Sequence, residues 1–173
     1  GYQQLPQTPP VAPIRARTSR ESRRSPHAVR QTMATLDYHE TINYSFVEER
    51  WEQQLASNSA PIRVLNPIAA PLAVMRSSLL GSLLGVLHYN LARQAGRVRV
   101  FEIGRVFRRD ASVSDGGSTV AGVAQPMRLG ALAYGPAAAV QWGLKERPAD
   151  FFDLKGDIES LLAPRRPVFV ADT

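Results

Sequence analysis

Cysteine is absent from the 173 residues, which excludes disulfides and thiolate metal sites. Lysine is almost absent: Lys145 and Lys155 are the only two, so the net charge of +6 is carried by arginine. Histidine is scarce as well. His27, His39 and His88 stand far apart and lack metal-ligand spacing, so no metal site is predicted. No apolar run approaches the roughly 18–20 residues that cross a bilayer. The opening GYQQLPQTPPVAP is polar and proline-rich, unlike a secretory signal. What remains is a composition of 44% hydrophobic and 21% charged residues, typical of a globular domain. The length suits one domain with a real core, expected in the cytoplasm with no membrane contact. The start at Gly1 and the stop just after PVFVA predict a piece of a longer protein, with its core domain cut short at the C-terminal end.

Pro6, Pro9, Pro10 and Pro13 mark residues 1–18 as an extended arm leading from a preceding module. The core domain is expected over 19–173. Ser25-Pro26 is an N-cap followed by a first-turn proline, and Val29, Met33 and Leu36 recur at helical spacing. A strand is predicted over 38–46, a short helix over 47–55, and strands over 62–67 and 73–76. Ser77 or Ser78 then caps a helix that runs to about Arg93, apolar over a wide face. Gly81 and Gly85 on that helix suggest close packing of another element. Strands follow over 97–108 and 127–135, joined by a Ser/Gly-rich turn at 111–119. A helix from Asp150 and a strand over 167–171 complete the pattern. A hairpin rather than a crossover after residue 110 indicates an α+β fold, with a mainly antiparallel sheet flanked by helices.

Arg15, Arg17, Arg20, Arg23, Arg24 and Arg30 cluster early, opposed locally only by Glu21. Such a run can track a phosphate backbone, but it equally fits a solvated helix face. No aromatic residue interleaves with it to stack bases.

Two segments are more specific. VFEIGRVFRRD (100–110) is an apolar strand ending in two arginines and a carboxylate, and DFFDLKGDIE (150–159) opens the last helix. Together with AVMRSSLLGSLLGVLHYN (73–90), Asn66-Pro67, the run 37–46, Trp142 and the opening GYQQLP, they occur in one colinear order. The pattern resembles the class II aminoacyl-tRNA synthetases, and among them the beta subunits of the bacterial phenylalanyl-tRNA synthetases. Residues 37–44 stand at the first signature motif of the class and 100–110 at the second. Asp37 replaces a glycine of the first, Tyr44 its proline, and Asp110 the last glutamate of the second.

The resemblance implies an assembly of two alpha and two beta subunits that attaches phenylalanine to its tRNA, using ATP and Mg²⁺. It implies that the alpha subunit is catalytic, and that this domain is a noncatalytic scaffold to which it docks. The family's magnesium-binding carboxylates would lie upstream of Gly1. No catalytic residue and no bound cofactor are therefore expected on this chain. Arg108, Asp110 and Glu102 are candidates for a vestigial nucleotide site, because a forked guanidinium at Arg108 suits a phosphate and a carboxylate. Against a working site, the return strand MRLGALAYG has small apolar residues where active members stack an aromatic ring on adenine. A plainer account of Arg108 and Asp110 is an ion pair closing the hairpin. Glu102, lacking a partner base, suits a hydrogen bond to backbone or arginine. Asp153, Asp157 and Glu159 read as charges of an exposed helix face. Tyr38, Ile42 and Tyr44, with Leu80, Leu84 and Leu87, are candidates for a subunit interface, through which the chain could also self-associate. Two rival functions stand beside the scaffold: a domain that binds ATP and an amino acid through Arg108, and a basic tRNA-binding module.

Overall fold

A computed structural model describes residues 11–13 and 24–171. Most of the arm and most of the early arginine cluster lie outside them. Helix α1 (Pro26–Thr35) starts as its sequence dictates, with Ser25 Oγ accepting from the Ala28 N–H at 3.2 Å and Pro26 in the first turn. Next come β1 (His39–Glu40), β2 (Phe46–Val47), α2 (Glu49–Ala56), β3 (Val74–Met75) and α3 (Leu80–Leu91). Strand β4 (Val98–Arg105) is followed by β5 (Arg108–Arg109), β6 (Val123–Ala124), β7 (Met127–Tyr134) and α4 (Phe151–Leu162).

The central sheet has the order β1-β4-β7. Strand β7 pairs with β4 antiparallel along its whole length, from Val98↔Tyr134 to Arg105↔Met127, whereas β1 runs parallel to β4. The pairs β2–β3 and β5–β6 are antiparallel, so the mainly antiparallel α+β reading holds.

Side chains of β4 alternate between two cores. Val98 and Val100 meet Leu79 and Leu83 of α3 on one face. Phe101 meets Met33 and Tyr38 on the other, with Leu161 of α4 packed alongside. With both faces covered, β4 is buried over nearly all its length.

Several expected elements are shorter than predicted. The strand over 38–46 survives only as β1 and β2. Between them Thr41 N–H still reaches the Phe101 carbonyl at 2.7 Å, but Asn43 turns its amide to Glu102 at 2.8 Å. The strand over 97–108 breaks after Arg105, where Phe107 N–H donates to the Arg76 carbonyl and Val106 N–H to that of Pro126. Residues 62–67 contribute one bridge, Arg63↔Val74. Residues 167–171 form no strand, and Val168 and Val170 are exposed. For residues 167–171 no ladder partner is present among the described residues.

Tyr38 ties α1, the sheet and α4 together. It is 5% exposed, and its hydroxyl donates to Asp157 at 2.8 Å, while Arg99 donates to the same carboxylate at 3.2 Å. Asp157 therefore faces inward, not out from the helix as its sequence position suggested. Burial, reinforced by the Asp157 carboxylate, pushes the Tyr38 phenol up to about 12. The folded state thus holds this proton more tightly than the unfolded chain does. The resulting stability is complete below about pH 10, the usual phenol value, and is lost as pH rises through the folded value of about 12. Urea unfolding across this window should show a falling midpoint, and Tyr38→Phe should flatten the fall. An equally steep fall in the variant would assign it to other groups.

Candidate functional site

The second-motif strand delivers its three candidates to three different environments. Glu102 lies on the face of β4 that carries Val98 and Val100, and is 3% exposed. Its Oε1 accepts from Arg76 Nη2 at 2.7 Å and its Oε2 from Asn43 Nδ2 at 2.8 Å. Arg76 in turn donates from Nε to the Arg105 carbonyl at 3.1 Å. The pair joins the segment before β2, the end of β3 and the exit of β4. Both carboxylate oxygens of Glu102 are thus engaged within the chain. The arginine bond foreseen from sequence is this one, with Arg76 as the unforeseen partner.

Asp110 does not pair with Arg108. Its Oδ1 accepts from Ser112 N–H and Oγ at 2.9 and 2.6 Å, and these bonds hold its carboxyl below the ordinary carboxylate range. It closes the turn after β5 and is solvent-exposed. The ion pair that the sequence suggested is replaced by an Asx-type turn.

Arg108 alone reaches a cavity. With Arg128 of β7, Ser77, Leu80, Val106 and Gly130 it bounds about 250 Å³ at the N-terminus of α3. That is below the roughly 300–1,000 Å³ of small-molecule sites. The reason is the seat of α3. Gly130, opposite Glu102 in the register, lets Leu79 and Leu83 press onto the sheet: a Cβ there would stand 3.1 Å from both side chains. Leu79 and Leu83 therefore cover the sheet face at Gly130, and the space left beside Arg108 is the small cavity.

Beside this face a second carboxylate is buried. Glu52 of α2, 2% exposed, accepts from Ser77 N–H at 2.9 Å and from Asn58 Nδ2 at 2.7 Å. In sequence it is one of several acidic residues of a short helix, and nothing distinguishes it.

The interface candidates divide. Tyr38 is a core residue, held by α1 and β4, whereas Leu87 is half-buried against the α3 core cluster and keeps part of its surface open. Ile42, Tyr44, Leu80 and Leu84 are exposed. Tyr44 and Tyr89, themselves 68% and 57% exposed, flank an apolar groove of about 330 Å³ floored by Phe46, Trp51 and Gly85. The Arg93 guanidinium stacks on Tyr89, 3.3 Å from the ring centre. Tyr89 and Trp51 were not singled out as surface residues, because helical spacing alone assigns them to a core.

The two described members of the early arginine cluster are engaged within the chain. Arg30 pairs with Glu40 at 2.7 Å, and Arg24 donates to the carbonyls of Leu161 and Ala163. At α4, Asp150 and Asp153 form a capping box. Arg147 grips Asp153 with two bonds of 2.7 and 2.6 Å, which hold that carboxyl well below its usual range. Asp153, Asp157 and Glu159 go to three different cations, Arg147, Arg99 and Lys155. No helix is long and apolar enough to cross a membrane among the described residues.

The phenylalanine–tRNA ligase beta subunit of Ralstonia nicotianae is 57% identical over 169 residues, covering 98% of this chain and 21% of that one. The beta subunit of Bordetella bronchiseptica is 47% identical over 174 residues, covering 99% of this chain and 22% of its own. The chain thus spans about a fifth of the length of these curated relatives. A solved pyrrolysyl-tRNA synthetase, PylSc of Desulfitobacterium hafniense, aligns with a TM-score of 0.44 at 11% identity, over 78% of this chain and 43% of that one. The family described as the phenylalanyl-tRNA synthetase beta chain CLM domain matches residues 5–167, and the chain belongs to it.

Proposed function

We propose that this chain is a noncatalytic, synthetase-like scaffold within a phenylalanine–tRNA ligase beta subunit, on which the catalytic alpha subunit docks. The whole assembly, two alpha and two beta subunits, joins phenylalanine to its tRNA in the cytoplasm with ATP and Mg²⁺. Residues 1–18 serve as the lead-in arm and 19–173 as the core domain.

The observation that carries the noncatalytic reading is the packing of Leu79 and Leu83 onto Gly130, which covers the sheet face there and leaves only the small cavity beside Arg108. A nucleotide needs that face open, with an aromatic platform on the return strand. Here β7 supplies Gly130 and Leu132 opposite Glu102 and Val100. Docking is supported by the groove between Tyr44 and Tyr89, with Ile42 and Leu84 exposed nearby. Exposed tyrosines around an apolar floor have the composition of a binding hot spot.

The test uses the full-length beta subunit with Tyr44→Ala and Tyr89→Ala combined, titrated against the alpha subunit in sedimentation experiments. Association should weaken at least about tenfold, because each tyrosine is a large rigid contact. Unchanged affinity would remove this groove from the interface.

A further inference from the structure

We infer that the small cavity at the N-terminus of α3 is a socket for a carboxylate, an Asp or Glu side chain presented by the docked subunit. The inference rests on the docking reading above and adds the chemistry of one contact to it.

Two guanidinium-bearing residues line the cavity from different strands, Arg108 of β5 and Arg128 of β7. None of the lining residues is acidic. The nearby carboxylates are committed elsewhere: Glu102 to Arg76, Asp110 to Ser112, and Glu52, behind the wall, to the Ser77 N–H and Asn58. Ser77 forms part of the wall, 3% exposed, and its hydroxyl oxygen has no hydrogen-bond partner. A buried hydroxyl left unpaired is costly, and buried polar groups are ordinarily satisfied. The N-terminus of α3 opens on this end as well, where Ser78 Oγ accepts from the Leu80 N–H at 3.2 Å and Leu79 at the N-cap adds no side-chain bond.

All of these groups favour an oxyanion, and forked guanidinium groups favour a planar one. The volume of about 250 Å³ chooses among oxyanions. It takes a carboxylate with its methylenes, and falls short of a nucleoside triphosphate. The neighbourhood makes the same choice: Leu80 lies at the rim, 48% exposed, with Leu84 one turn further at 39%. An acidic side chain flanked by apolar neighbours on a protein surface matches a cationic pocket with a leucine edge. Docking would then desolvate the arginines together with their counter-charge, which strengthens the pair.

The experiment measures association of the full-length beta subunit with the alpha subunit over a range of salt concentrations. It compares wild type, Arg108→Gln with Arg128→Gln, the same positions changed to lysine, and Arg105→Gln. The glutamine pair should weaken binding about tenfold and flatten the salt dependence. The lysine pair should restore the salt slope but only part of the affinity, and Arg105→Gln should behave as wild type. All the altered residues are exposed, so far-ultraviolet spectra and melting should be unchanged. Affinity and salt slope that are unchanged in the glutamine pair would overturn the socket while leaving docking intact. Failure of the wild-type subunits to associate would overturn docking and the socket with it. Saturable ATP binding by the beta subunit alone, lost in Arg108→Gln, would overturn it in favour of a nucleotide site.

Discussion

Glu102→Ala should lower the unfolding free energy by about 3–5 kcal/mol, the loss expected when one member of a buried ion pair is removed. The side chains of Arg76 and Glu102 are only 2% and 4% exposed, so the stranded guanidinium has no route to water. Its remaining acceptors are the carbonyls of Arg105 and Tyr44, at 3.1 and 3.4 Å, and neither carries a full charge. Typical domain stabilities are about 5–15 kcal/mol, so the variant should be marginally folded. Removing both charges, as in Arg76→Met with Glu102→Leu, should recover much of the loss, because the desolvation penalty goes with them. Gly104→Ala should mimic the single variant, since a Cβ there would collide with Arg76 Nη2 and crowd Glu102 Oε1. Urea unfolding of the four proteins reads this directly. A cost below about 1 kcal/mol for Glu102→Ala, the range of exposed ion pairs, would show that water reaches the pair.

Gly81→Val should cost about 2–3 kcal/mol, near the top of the usual overpacking range. Trp51 lies across the Gly81–Gly85 surface of α3, and an added Cβ at 81 would stand 2.8 Å from Trp51 Cε3 and 3.3 Å from Cδ2. Those are ring atoms close to the backbone, with little freedom to move aside. The ring must shift, and α2 shifts with it. Gly81→Ala meets the same ring but gains about 1 kcal/mol of helix propensity, so its net cost should be smaller. Gly85→Ala is gentler still, with its nearest contact at 3.3 Å on the far edge of the ring. Unfolding midpoints should therefore fall in the order Gly85→Ala, Gly81→Ala, Gly81→Val. Because Trp51 and Gly85 also floor the tyrosine groove, Gly81→Val should weaken docking as well. A Gly81→Val protein as stable as wild type would mean that Trp51 does not pack there.

The helices were legible because their signals are local. Ser25-Pro26 and the Asp150/Asp153 box fix two starts through contacts within one turn, and leucine spacing marks α3. The β4–β7 hairpin was legible because both strands are apolar and close in sequence. The parallel pairing of β1 was not, because nothing in His39-Glu40 states the direction of its neighbour. Among the site candidates, Arg108 lines a cavity in the structure. Glu102 and Asp110 were grouped with it by sequence adjacency, and the Arg76–Asn43 contacts of the one and the turn at Ser112 of the other hold them apart from it. Arg76 and Glu52 were missed because a charge becomes special only when a distant segment buries it, and Arg128 because only the hairpin brings it beside Arg108. Tyr38 and Tyr44 share strand parity on paper, yet one is core and the other surface, because the chain leaves the sheet at Thr41.

The central claim is that Leu79 and Leu83 have closed the nucleotide face of this domain. Counting ATP sites in the assembled enzyme by equilibrium dialysis, with phenylalanine and Mg²⁺ present, tests it most directly. The account predicts one site per pair of alpha and beta subunits, unchanged in stoichiometry by Arg108→Ala. Two sites per pair, one of them lost in Arg108→Ala, would contradict it.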